Sequence, residues 1–462
     1  MRRRVTRRRF LHSSAGAGLG LMVLSSASPA RTYKANEAAR IALVGAGGRG
    51  AWFAGLLPRT QGMDLVALCD VDEYKAKGVF AEFPDLPKFH DFRVMLDKMH
   101  KGIDGVIVAT PDNTHAVASA AAIRRGKAVY TEKPLTHDVY ESHVLRKLAR
   151  QHKVATQMGN QGTASGAFRR ALGLLRAGVL GRIQEVYVWC MGGGGGRPRV
   201  YKKHVPCPKT LHWDLWLGPA KYRPFHPMWM RWHAWRDLGT SSLGGWASHS
   251  ANLPFMALKV DSLWHMDPAD KPRLRFRGGA ERIDTERWPR WWTCRWDVPP
   301  RKGLPAVPIH WLTTSAPTFA KMQEKMKAFK MKLNNHGLPG YEGSYHTGCF
   351  LIGTKGALVS NSHNTRFVLL PEEKWKGFAG PPQTIPRGIG HEREWVRAIK
   401  GGPAAFSNYD YSGPLNELLQ LGNLASVVPD KDLEYDPLAC KIVGDDNADA
   451  LLRRTYRKGW TL

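Results

Sequence analysis

Acidic residues and cysteines are scarce in this 462-residue sequence. Asp and Glu number 39 against 68 Lys and Arg, a formal charge of +29. That balance favours anionic partners through long-range attraction. The basic residues are dispersed and no nucleic-acid-binding motif is present, so no nucleic-acid partner is expected. The six cysteines are Cys69, Cys190, Cys207, Cys294, Cys349 and Cys440, and none forms a C-x-x-C pair. Zinc-ribbon and thioredoxin chemistry therefore have no support. His204, His212, His226, His233 and His249 fit no compact ligand spacing, so no metal is expected. Beyond residue 30 no apolar run is long enough to span a bilayer, and no stable membrane insertion is expected. The sequence also lacks an internal repeat.

Residues 1–30 read as a removable leader. Thr6-Arg7-Arg8-Arg9-Phe10-Leu11 fits a twin-arginine export signal, followed by a small-residue apolar run from Ala15 to Ala27. Ser28-Pro29-Ala30 or Ser25-Ser26-Ala27 supplies a cleavage site. A periplasmic location is expected. Loss of the leader's six arginines lowers the formal charge from +29 to +23. An anionic glycan is the partner this excess favours. Export in the folded state disfavours an obligatory disulfide framework. It also favours chemistry in which oxidation and reduction close within one active site.

The most informative stretch is Arg40-Ile41-Ala42-Leu43-Val44-Gly45-Ala46-Gly47-Gly48-Arg49-Gly50, answered by Cys69-Asp70-Val71-Asp72. It reads as a buried strand, a glycine-rich turn and a helix start, with an acid ending the next strand. Gly45 permits the tight turn, Gly47 lets backbone approach a pyrophosphate, and Gly50 lets the helix pack closely. The helix N-terminus offers free N–H groups to phosphate. Asp70 lies 20 residues past Gly50, the spacing of an acid on ribose hydroxyls. A carboxylate there repels a 2′-phosphate, so the cofactor expected is NAD rather than NADP.

Short apolar strands at Ile41–Val44, Leu65–Asp70, Gly105–Ala109, Ala128–Thr131 and Val154–Met158 alternate with helices that include His115–Arg125 and Val139–His152. This predicts an α/β fold with a doubly wound parallel Rossmann sheet. Its ligand edge carries Thr110-Pro111 and Glu132-Lys133-Pro134. From Ile183 the pattern alternates, predicting a mostly antiparallel sheet in an α+β domain. Strands are expected at Cys349–Ile352, Ala357–Ser360 and Phe367–Leu370, and helices at Glu392–Lys400 and Leu415–Ser426. The expected organisation is a leader at 1–30, an NAD-binding domain at 38–160 and a substrate and oligomerisation domain at 161–462. The C-terminal helices are expected against the first domain.

Ala109-Thr110-Pro111-Asp112-Asn113-Thr114-His115 and Tyr130-Thr131-Glu132-Lys133-Pro134-Leu135 resemble the Gfo/Idh/MocA oxidoreductases, the family of glucose–fructose oxidoreductase and inositol dehydrogenase. The resemblance continues through Gly159-Asn160-Gln161-Gly162, Trp213-Asp214-Leu215-Trp216-Leu217-Gly218-Pro219, Asp237-Leu238-Gly239 and His391-Glu392-Arg393-Glu394-Trp395. It looks most like an exported, planctomycete-type branch. The resemblance implies that Lys133 contacts both nicotinamide and the substrate hydroxyl. Beside the oxidised ring its depressed pKa suits proton exchange with an alcohol. It further implies cofactor contacts from Gly48, Arg49, Thr110, Pro111, Asn113, His115, Glu132 and Gln161. Substrate contacts are expected from Arg236, His249 and Asn252, with His249 also catalytic.

One departure stands out. The family offers an aspartate four residues before the histidine matched by His249, and here that position is Gly245. Of the tryptophans at 213, 216, 229, 232, 235 and 246, most are expected in the core and one or two against a sugar. The expected activity is NAD-dependent oxidation or reduction of a sugar or sugar derivative. An NAD-dependent glycosidase that oxidises, eliminates, adds water and re-reduces is the alternative. A non-catalytic glycan-binding relative is a third reading. A homo-oligomer is the expected assembly.

Overall fold

The computed structural model describes residues 33, 37–191, 205–341 and 345–462. The leader and the Gly192–Gly196 loop lie outside them.

Six short strands build the first sheet: β1 Ala39–Val44, β2 Met63–Cys69, β3 Lys88–Phe89, β4 Gly105–Val108, β5 Ala128–Thr131 and β6 Thr156–Met158. They pair in the order β3-β2-β1-β4-β5-β6, and every pairing is parallel. This is the doubly wound order in which the strand sequence reverses between β1 and β4. β4 and β5 are buried at every residue, as a sheet covered on both faces requires. The expected helix over 139–152 forms at Val139–His152. Asp138 and Glu141 close a reciprocal capping box at its start. The two-residue strand β3 has no signal in the sequence and is a finding of the structure.

The second sheet holds nine strands: β7 Ile183–Cys190, β8 Leu274–Ala280, β9 Trp292–Val298, β10 Val307–Thr313, β11 Thr347–Gly353, β12 Gly356–Asn361, β13 Phe367–Leu370, β14 Asp432–Asp436 and β15 Lys441–Ile442. Their order is β13-β12-β11-β7-β10-β9-β8-β14-β15. All pairings are antiparallel except β7 with β10. In β8, Leu274, Phe276 and Gly278 are buried while Arg275 and Arg277 face out, where they pair with Glu434 and Asp432. The tryptophans of β9 and β10 fill the interior: Trp292, Trp296 and Trp311 are among the largest fully buried side chains. All six cysteines are free thiols.

The C-terminal part of the chain returns to the first sheet. Trp395, on the helix His391–Ile399, stands edge-on to Tyr130 of β5 and shares a buried cluster with Ile41 and Leu43 of β1. The buried helix Tyr409–Ala425 lies against the helix Val139–His152. Among the described residues, no helix is long and apolar enough to cross a membrane.

Candidate active site

The glycine turn is built as the nucleotide reading requires. Gly45 has φ +86°, and a Cβ on it would lie 2.5 Å from the Ala109 carbonyl oxygen of the neighbouring strand end. A Cβ on Gly50 would lie 1.6 Å from the Gly45 carbonyl oxygen, so only glycine lets the helix Arg49–Leu56 start against the turn. The space above Gly48 is open. Asp70, at the end of β2, accepts the Gly47 N–H through Oδ2 and the Asp72 N–H through Oδ1, each at 2.8 Å. Burial pushes its carboxyl upward, and the N–H groups of Asp72, Gly47 and Ala46 pull it back. Each carboxylate oxygen keeps a lone pair for a further donor. Asp70 thus pins the turn and still offers an acceptor for ribose hydroxyls.

A second cluster gathers at the ends of β4 and β5. Thr110 and Pro111 follow β4 and are half-buried. Glu132, just past β5, accepts from Arg49 at 3.0 Å and from Gln161 at 3.3 Å. The Arg49 guanidinium also lies 3.8 Å from the centre of the Trp52 ring. This links the glycine turn to the Glu132-Lys133 segment. Lys133 Nζ then reaches across to the second domain and donates to the Gly245 carbonyl at 3.0 Å. It stands 5.8 Å from the centre of the Trp246 ring.

Gly245 and Trp246 belong to a single π-helical turn, Leu243–Ala247, which leads directly into His249. Such turns are rare and concentrate at functional sites. His249 is 3% exposed, and its Nδ1 has no hydrogen-bond partner among the described residues. Burial first, then the charges of Lys133 and His363, push its pKa well below the ordinary histidine value. It is therefore a neutral imidazole at neutral pH. Its ring lies 4.3 Å from that of His363, which follows β12. Burial first, then the charges of Lys133 and Arg49, push the His363 imidazole below its ordinary value. Trp246, 44% exposed, is the tryptophan of the 213–246 stretch that the protein leaves open.

Four residues expected to touch ligand have partners within the scaffold, although Asn113 Oδ1 and Asn252 Nδ2 are buried without one among the described residues. Asn113 is fully buried, and its amide donates to the Leu217 carbonyl at 2.8 Å. His115 has both ring nitrogens on carbonyls, of Pro134 at 2.7 Å and Thr110 at 2.9 Å. It ties the turn after β4 to the turn carrying Lys133. Arg236 donates to the carbonyls of Asp284 and Arg287 and lies 4.1 Å from the Trp288 ring centre. Asn252 is fully buried and accepts from the Tyr411 hydroxyl. His363 was not expected. It is a lone histidine in a turn between two strands, and no local pattern marks it.

Residues 39–160 match the family described as an oxidoreductase family with an NAD-binding Rossmann fold. The matched segment takes in the whole first sheet, from β1 to β6. Over 97 residues the chain is 38% identical to inositol 2-dehydrogenase 1 of Saccharopolyspora erythraea, covering 21% of this chain and 28% of that protein. Over 137 residues it is 33% identical to a glycosyl hydrolase family 109 protein of Stenotrophomonas maltophilia, covering 27% and 29%. A scyllo-inositol 2-dehydrogenase (NAD(+)) of Bacillus subtilis is 30% identical over 146 residues, covering 31% and 42%. The chain thus spans less than half the length of the curated relatives it matches. Whole-fold similarity is broader. An NAD complex of GenD2 from gentamicin A biosynthesis aligns with TM-score 0.53 at 18% identity, over 87% of this chain and 98% of that one. The aldose-aldose oxidoreductase of Caulobacter crescentus aligns with TM-score 0.52 at 14% identity, over 84% and 98%. The two-domain architecture, with its parallel and antiparallel sheets, is therefore shared.

Proposed function

We propose that the protein is an NAD-dependent oxidoreductase acting on a sugar or sugar derivative. One observation carries the reading: Lys133, beside the strand ends of the NAD domain, meets Trp246 and the neutral His249 of the second domain. Bound NAD supplies the hydride acceptor. Lys133 exchanges a proton with the substrate hydroxyl, oriented by the Gly245 carbonyl. His249 presents its unpartnered Nδ1 to a second polar atom of the sugar. Trp246 offers an apolar face to the pyranose ring.

Relatives that are glycosyl hydrolase family 109 proteins support a second reading, redox-neutral glycoside cleavage. Gly245 favours it specifically, because elimination beside a transient ketone asks for a base more than for a second carboxylate. The leader, the strong basic charge and the resemblance together support export by the twin-arginine route, membership of an exported branch, an anionic glycan as substrate and a homo-oligomeric assembly.

Two measurements test the proposal. Nucleotide released from the purified, denatured protein is identified by mass spectrometry, and NAD or NADH is expected. The protein is then assayed on a panel of sugars, uronates and glycosides for NADH formation and for aglycone release. Net NADH formation supports oxidation, and aglycone release without net NADH supports glycoside cleavage. Bound NAD with neither product on any glycan would overturn both.

A further inference from the structure

We infer that Glu73, His90 and His212 form a site for a divalent transition metal of the zinc class, at the seam between the two domains. The three residues come from three separate stretches, and their ligand atoms lie within 4.8 Å of one another. His90 Nε2 is 3.4 Å and His212 Nε2 is 3.5 Å from the same oxygen, Glu73 Oε1. Two ligand bonds of about 2.0–2.1 Å at a tetrahedral angle set their atoms about 3.3–3.4 Å apart. Both nitrogen–oxygen separations are therefore close to those a bound ion would impose. Two imidazoles and one carboxylate leave a fourth position for water.

The backbone holds each ligand in place. Asp72 and Leu211 form an antiparallel bridge, with Glu73 N–H donating to Thr210 O and His212 N–H to Val71 O, both at 2.9 Å. His90 is oriented by Nδ1, which lies 3.1 Å from the Asp70 carbonyl oxygen. An N–H on that nitrogen leaves Nε2 as the free lone pair, the arrangement that metal-binding histidines show. His212 Nε2 is buried and has no hydrogen-bond partner among the described residues. The two rings stack at 4.1 Å between centroids, 24° from parallel. The three side chains are each about two-fifths exposed, while the His212 Nε2 atom itself is covered. Sequence spacing hides the site, because 73, 90 and 212 fall into no compact motif.

An ordinary carboxylate flanked by histidines would look similar without metal, and the test separates the two. Untagged full-length protein is stripped with chelator and titrated with Co2+, whose tetrahedral complexes absorb intensely in the visible. The expected result is one Co2+ per chain with that absorption, displaced by Zn2+, and an upward shift of Tm with Zn2+. His90→Ala and His212→Ala should each weaken Co2+ binding at least tenfold, and Glu73→Gln should weaken it too. Retained NAD binding and circular dichroism show that the variants fold. Absence of the tetrahedral spectrum from wild type, or one tight Co2+ persisting in the folded double variant H90A/H212A, overturns the proposal.

Discussion

The Lys133 ammonium donates to the Gly245 carbonyl across 3.0 Å, at the position where the resemblance leads one to expect a carboxylate. The chain thus gives its lysine a neutral backbone acceptor. A carbonyl orients an ammonium, whereas a carboxylate would also favour its charged form. The hydrogen bond fixes where the Lys133 ammonium stands.

Replacing Lys133 by Met should lower turnover by roughly 10²–10⁴-fold, the usual loss on removing a positioned acid–base group. NAD affinity should change little, because the glycine turn and Asp70 lie elsewhere. Steady-state turnover and NAD titration check this together. Near-normal turnover of the variant would refute the assigned role.

Gly245→Asp should fold normally, since a Cβ there meets nothing within 4 Å. It should not raise activity. The new carboxylate would pair with Lys133 and favour its protonated state, moving the pH–rate profile toward higher pH. A profile that stays in place, or a clear gain in turnover at neutral pH, would count against this account.

Asp70→Ala should weaken NAD and narrow its advantage over NADP, because the 2′-phosphate is no longer repelled. It should also destabilise the protein by about 1–3 kcal/mol, since the Gly47 and Asp72 N–H groups lose their acceptor. Titration with both nucleotides and thermal melts of the free protein report the two effects separately. A variant that preferred NAD as strongly as wild type would remove Asp70 from the ribose site.

Burial pushes His391 down to about 3, although its Nε2 faces the Met158 carbonyl. The unfolded chain holds this histidine near 6.5. Between those values the unfolded state binds the extra proton, so stability falls as pH drops below about 6.5. In His391→Gln the Tm–pH curve should be flatter than wild type between pH 4 and 6.5. Parallel curves for the two proteins would contradict the assignment.

Replacing Arg7, Arg8 and Arg9 together by Lys should leave the precursor in the cytoplasm, because the arginine pair is what the export receptor reads. Cell fractionation decides it, and normal periplasmic appearance of the triple variant would argue against this route.

Apart from β3, the parallel sheet was legible because its strands are short, rich in apolar residues and separated by helical stretches. The helix Val139–His152 was legible to the residue, because Asp138 and Glu141 mark its start. Strands β8 to β10 were not, since their tryptophans and arginines read as a mixed segment until the sheet assigns them to opposite faces. Motif matching pointed to Asn113, His115, Arg236 and Asn252 but not to the scaffold partners they hold. A polar residue that clamps two loops has the same sequence signature as one that clamps a ligand. His363 depends on a contact between residues 114 positions apart, His249 and His363, and nothing local encodes it.

The return of Trp395 to the first sheet bears on how the protein can be divided. A Cβ on Gly105 would lie 3.0 Å from the Trp395 ring, so β4 is shaped to receive that side chain. A fragment ending at Asn160 would leave Ile41, Leu43 and Tyr130 without the cover they have in the whole chain. Such a fragment should aggregate on expression. The nucleotide half is therefore not a portable cassette: gene fusions or shuffling that carry it must also carry the distant helix that seals it.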